Sequence, residues 1–170
     1  MLLKPRRPVL DLDLPLAGGG RFSLQAQRPA AFTLLVFYRG FHCPICKGYL
    51  GDLNAKSSAF QALGVEPVAV SADPEERAEL ARREWDLTAL PLAYAMPIAL
   101  GRGWGLSVSH AISAAEPSQF LEPGLFLVRP DRTLYGAAVQ TMPFTRPSLD
   151  ELLAAMQFVV KRDYPARGEG

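Results

Sequence analysis

A nearly unbroken apolar run, Ala31-Phe32-Thr33-Leu34-Leu35-Val36-Phe37-Tyr38, ends at Arg39-Gly40 and leads through Phe41-His42 into Cys43-Pro44-Ile45-Cys46. β-formers without polar alternation read as a strand buried on both faces. From Cys43 the apolar positions Cys46, Leu50, Leu53, Phe60 and Leu63 recur at helical spacing, and Pro44 fits the first turn of that helix. The two cysteines therefore sit where a central strand runs into a helix, at the carboxyl end of that strand, where open α/β folds tend to place their ligand sites.

The remaining segments fit the same frame. Val9 to Leu16 partly alternates, Gly18-Gly19-Gly20 breaks the chain, and Arg21 to Leu24 follows, which predicts a short N-terminal hairpin. Val65 to Ser71 reads as the second core strand. Asp73-Pro74-Glu75-Glu76 predicts a helix start with an Asp cap, running to about Trp85. Glu79 with Arg82 and Arg83 suits its exposed face, and Ala78, Ala81 and Trp85 its inner one. Leu90 to Met96 is expected as a strand, and Gly101 to Gly105 as a loop with a helical turn. Leu125 to Val128 and Leu134 to Gln140 form a hairpin around Arg129-Pro130-Asp131-Arg132. Ser148 and Glu151 make a capping box for a last helix with Leu149, Leu152, Leu153, Met156 and Val160 inward. This order is that of an α/β fold, a central mixed sheet flanked by helices.

At 170 residues and 49% apolar content, the chain supports one substantial core. The expected division is an arm over 1–8, one domain over 9–163 and a tail over 164–170. A net charge of +1 gives no field suited to nucleic acid or an anionic membrane. Lys4, Arg6 and Arg7 form the only basic run and read as a solvated arm. No apolar leader follows these charges and no stretch approaches the ~18 apolar residues of a membrane span. A cytoplasmic protein is expected.

In a reducing compartment, two cysteines three residues apart are redox-active or metal-binding more often than structural. Zinc needs about four ligands, and only His42 and His110 remain as imidazoles, with His42 awkwardly adjacent to Cys43. Attachment of a c-type haem needs His after the second Cys, where Lys47 stands. No metal or cofactor is expected. A thiol at a helix start is stabilised as thiolate by free backbone N–H groups and the helix dipole. On that ground Cys43 is expected as an exposed attacking thiolate, helped by Arg39 and by His42 if cationic, with Cys46 as a buried resolving thiol.

The segment Phe37-Tyr38-Arg39-Gly40-Phe41-His42-Cys43-Pro44-Ile45-Cys46-Lys47 resembles the active-site segment of peroxiredoxin-like proteins in the alkyl hydroperoxide reductase and thiol-specific antioxidant family. Val68 to Asp73 resembles that family's second core strand and Ser-x-Asp turn, and Pro123 to Val128 with Asp131 resembles its later strand. The resemblance implies a thioredoxin-like fold and a thiol-dependent peroxidase. It also implies that Pro123 takes the place of the cis-proline beside the thiols. Members of the family carry Pro seven residues and Thr or Ser three residues before the peroxide-attacking Cys. Counted from Cys43, those positions hold Val36 and Gly40. The family's Arg three residues before the late-strand Phe is here Pro123. Arg39, His42 and Arg146 are the candidates to replace the missing peroxide-polarising groups.

Three readings result. The first is a peroxidase in which Cys43 attacks a peroxide and Cys46 closes a local disulfide, re-reduced by a thiol donor such as a thioredoxin or glutathione system. The second is a reductase of protein disulfides using the same pair, and the third a binding module with an inert dithiol. His110, Trp85 and Trp104 read as loop or packing residues. Gly48 and Gly51 inside the first long helix suggest close packing against a neighbour, with a homodimer interface as one form of it.

Overall fold

The computed structural model describes residues 3–170; Met1 and Leu2 of the expected arm lie outside the described residues. Its strands are β1 (Asp13–Pro15), β2 (Arg21–Ser23), β3 (Phe32–Phe37), β4 (Val65–Val70), β5 (Leu92–Ala93), β6 (Val108–His110), β7 (Gln119–Leu121), β8 (Gly124–Val128) and β9 (Leu134–Val139). The helices are α1 (Pro44–Ala62), α2 (Glu75–Glu84), α3 (Ile98–Gly103) and α4 (Leu149–Arg162). A five-stranded mixed sheet in the order β5-β4-β3-β8-β9 forms the centre. β3 pairs parallel with β4 and antiparallel with β8, so the most apolar segment of the chain is the middle strand. β1 and β2 form the expected N-terminal hairpin.

The alternation of β3 divides the core. Phe32, Leu34, Val36 and Tyr38 face Leu50, Leu53 and Phe60 of α1, Ala81 of α2, and Leu149, Met156 and Val159 of α4. Leu35 and Phe37 face Leu12, Leu14 and Phe22 near or in the hairpin, Trp104 just after α3, and Phe126. Each such large side chain contributes about 1.5–3 kcal/mol by leaving water. Both thiols lie within the first of these two clusters. Among the described residues no helix is long and apolar enough to cross a membrane.

Several local expectations are corrected. Asp73 does not cap α2: Pro74 takes that position, and the Asp73 carboxylate is used by the Phe41 N–H and Arg77. The strand expected over 90–96 shrinks to Leu92–Ala93, which pairs with Ala69 and Val70 and bridges to Leu16 on its other side, because the backbone turns at Ala95 with φ 58°. The Gly-rich stretch closes α3 and buries Trp104 completely. The β6–β7 ribbon was not legible, since three-residue strands leave no period to read, and it carries His110 on a strand and not in a loop. In α4, Val159 is buried and Val160 exposed. A Cβ on Gly48 or Gly51 would meet nothing within 4 Å, so neither marks a close contact within the chain. The basic arm is tied down: the Arg6 N–H donates to Leu134 O at 2.8 Å, the Leu134 N–H to Arg7 O at 2.9 Å, and the Arg6 guanidinium to Ala166 O at 2.9 and 3.1 Å.

Candidate active site

The loop between β3 and α1 is held before either thiol is placed. Gly40 has φ 132°, a region that L side chains rarely adopt, and a Cβ there would stand 2.6 Å from Asp73 Oδ1. The bare Gly40 lets the Asp73 carboxylate approach and accept the Phe41 N–H at 2.7 Å, while Arg77 Nε lies 3.4 Å from its other oxygen. Arg39 is braced from its other side. Its guanidinium lies 3.5 Å from Glu122 and 3.8 Å from Glu116, and 4.6 Å above the ring of Phe120. The Cys43 N–H donates to Gly40 O at 3.1 Å, which closes the turn into α1.

Cys43 is the N-cap of α1 and Pro44 its first residue, as the sequence implied. Cys43 Sγ accepts the Cys46 N–H at 3.2 Å. Both cysteines are free thiols. The exposure expected for Cys43 is not found: it is 2% accessible and Cys46 0%. The electrostatics also favour the second sulfur. Arg146 Nη2 donates to Cys46 Sγ at 3.0 Å, and the Arg39 backbone N–H points to the same atom. Burial acts to raise the Cys46 pKa, but the Cys43 thiol, the Arg146 charge and these hydrogen bonds outweigh it and bring it down to about 6. Cys43 moves the other way, because its thiol donates to the Cys46 sulfur and because it is buried; the Cys46 N–H and Arg146 offset this only in part.

His42 is not the cation the sequence reading invoked. Burial first, then the charges of Arg39 and Arg77, lower its pKa to about 4, and its ring packs against Phe120 with centroids 4.7 Å apart. Arg146 comes from the segment before α4, outside any element, and is steadied by Pro143 O at 2.7 Å and by the Tyr49 ring 5.0 Å away. Pro123 precedes β8, whose Gly124 pairs with Phe37, so it stands at the carboxyl end of β3. Its peptide bond is trans. The structure thus brings Cys43, Cys46, Arg146 and the Arg39 backbone together, and gives the Arg39 side chain and His42 to the surrounding packing. Tyr49 was missed, although its position three residues after Cys46 on the same helix was a readable signal.

A scan against protein-family models matches residues 5–136 to the AhpC/TSA family. The chain belongs to that family. It is accordingly a thiol-dependent peroxidase with the thioredoxin-like fold of peroxiredoxins. Solved structures agree on the fold. Peroxidoxin BcpB from Mycobacterium tuberculosis superposes with a TM-score of 0.74 at 17% identity, over 92% of this chain and 98% of that one. AhpC of Enterococcus faecalis gives 0.74 at 20% identity, over 98% and 99%. Peroxiredoxin Q of Xanthomonas campestris gives 0.70 at 22% identity, over 88% and 91%. A comparison with curated proteins found no match.

Proposed function

We propose that Cys46 is the attacking thiolate of this AhpC/TSA member and Cys43 its resolving thiol, the reverse of the order expected from helix position alone. One observation carries the assignment: the Cys46 sulfur, and not that of Cys43, receives the Arg146 guanidinium at 3.0 Å. Counting the family motif from Cys46 puts a hydrogen-bonding side chain at the hydroxyl position, where counting from Cys43 puts Gly40. The hydroxyl position three residues earlier is then Cys43, and the proline position seven residues earlier is Arg39.

The steps follow from this arrangement. The Cys46 thiolate attacks the distal oxygen of a peroxide ROOH and displaces alkoxide: an S–O bond forms, the O–O bond breaks, sulfur is oxidised to sulfenic acid, and the alkoxide takes a proton from solvent to leave as ROH. Arg146 stabilises the negative charge as it passes from sulfur to oxygen. Cys43 then attacks the sulfenic sulfur, an S–S bond replaces S–O, and water departs with the Cys43 proton. The Cys43–Cys46 disulfide is returned to the dithiol by an external thiol donor of the thioredoxin or glutathione class, which fits a cytoplasmic setting.

The burial of both sulfurs in the dithiol form favours a small peroxide over a protein disulfide as the oxidant, since in that form each cysteine is 2% accessible or less; the donor meets the other form, the disulfide. The test is a stoichiometric titration of the reduced protein with hydrogen peroxide, beside an insulin-disulfide reduction assay. The peroxidase reading expects two thiols lost per peroxide within seconds and slow insulin reduction. Sluggish loss of thiols with brisk insulin reduction would replace it by the disulfide-reductase reading.

A further inference from the structure

Arg146 lies on an irregular segment between β9 and α4, yet its guanidinium reaches a sulfur at the start of α1. An arginine on such a segment has many rotamers to lose, so something must select the one that meets Cys46. Tyr49 meets this requirement from two directions. Its hydroxyl donates to Pro147 O at 2.9 Å, which fixes the main chain one residue after Arg146, and the Arg146 guanidinium lies 5.0 Å from its ring centroid. The first contact sets where Arg146 starts and the second where its charge ends. Tyr49 itself is placed by α1, the helix that carries Cys46, so one element holds both the thiol and the brace of its cation.

We propose that Tyr49 is a positioning residue of the peroxidase, holding Arg146 onto Cys46 without touching the reacting atoms. This rests on the reading that Arg146 stabilises the Cys46 thiolate. Burial raises the Tyr49 pKa to about 12, with Arg146 acting in the opposite direction, so the phenol remains a neutral donor through the physiological range. A tyrosine is suited to the role because it offers a face to the cation and a hydroxyl beyond it; phenylalanine keeps only the first.

The experiment is the pH profile of iodoacetamide alkylation at Cys46, read by mass spectrometry in a Cys43→Ser background. It compares Tyr49→Phe, Tyr49→Leu, Arg146→Met and the Tyr49→Phe/Arg146→Met pair, with melting curves run on each. Tyr49→Phe is expected to raise the Cys46 pKa by about 0.5–1 unit, and Tyr49→Leu by more, as the hydroxyl and then the ring are lost. In the Arg146→Met background, Tyr49→Phe should add nothing, because no guanidinium remains to be placed. A Cys46 profile unmoved by Tyr49→Phe, or moved equally with and without Arg146, overturns the positioning role. An Arg146→Met variant that leaves the profile unchanged overturns the underlying reading instead. If Tyr49→Leu fails to fold, Tyr49→Phe and the double variant still decide.

Discussion

Arg146 and Cys46 stand 100 residues apart in sequence and 3.0 Å apart in space, guanidinium nitrogen to sulfur. Charge-assisted hydrogen bonds of this kind contribute roughly 1.5–3 kcal/mol, which corresponds to about 1–2 pKa units. The contact is therefore strong enough to decide which of two adjacent thiols ionises first.

Removing that contact has a direct reading. In the wild type the Cys46 pKa of about 6 makes thiol reactivity rise through pH 6 and level off above pH 7. In Arg146→Met the rise is expected to move up by about 1–2 units. Alkylation at pH 7 should slow about twofold to tenfold by the corresponding loss of thiolate. Stopped-flow alkylation across pH 5–9 checks both.

Gly40→Ala tests the loop that carries the site. The substitution places a methyl group 2.6 Å from Asp73 Oδ1 at φ 132°, and the carboxylate that receives the Phe41 N–H must move. A loss of about 3 kcal/mol is expected from backbone strain together with the weakened charged hydrogen bond. Urea unfolding measures it, and a midpoint within error of the wild type would show that the loop has another anchor.

The placement of β3, α1 and the β1–β2 and β8–β9 hairpins was readable because each follows from a local pattern: unbroken β-formers over 31–38, helical spacing from Cys46 to Phe60, the glycine run at 18–20, a Pro-Asp turn between β8 and β9. The contact on which the proposed order of the two thiols rests was not. Position at the helix start favoured Cys43, and nothing near it in sequence announces that Arg146 folds back onto Cys46. The same limit explains Asp73, whose sequence context is that of a cap and whose carboxylate goes instead to Phe41, 32 residues away. In each case a long-range partner took a group that local rules had assigned elsewhere.

His42 gives a pH dependence with a definite sign. Its folded-state pKa of about 4 lies below the ordinary 6.5, owing to burial and then to Arg39 and Arg77, with Glu116 opposing. Above pH 6.5 the ring is neutral folded and unfolded. As pH falls from 6.5 to 4, the unfolded chain takes up a proton that the folded protein resists, so stability is lost over that window. Thermal melts should therefore decline less between pH 6.5 and 4 in His42→Phe than in the wild type. Parallel curves would show that His42 takes its proton in the fold.

The most direct test of the dithiol assignment is peptide-level mapping of sulfenic acid after one equivalent of hydrogen peroxide and dimedone, in Cys43→Ser and Cys46→Ser. A stable adduct on Cys46 in Cys43→Ser, with Cys43 unmodified over the same interval in Cys46→Ser, is the predicted result. Rapid adduct formation on Cys43 in Cys46→Ser, with Cys46 inert in the other variant, would contradict it.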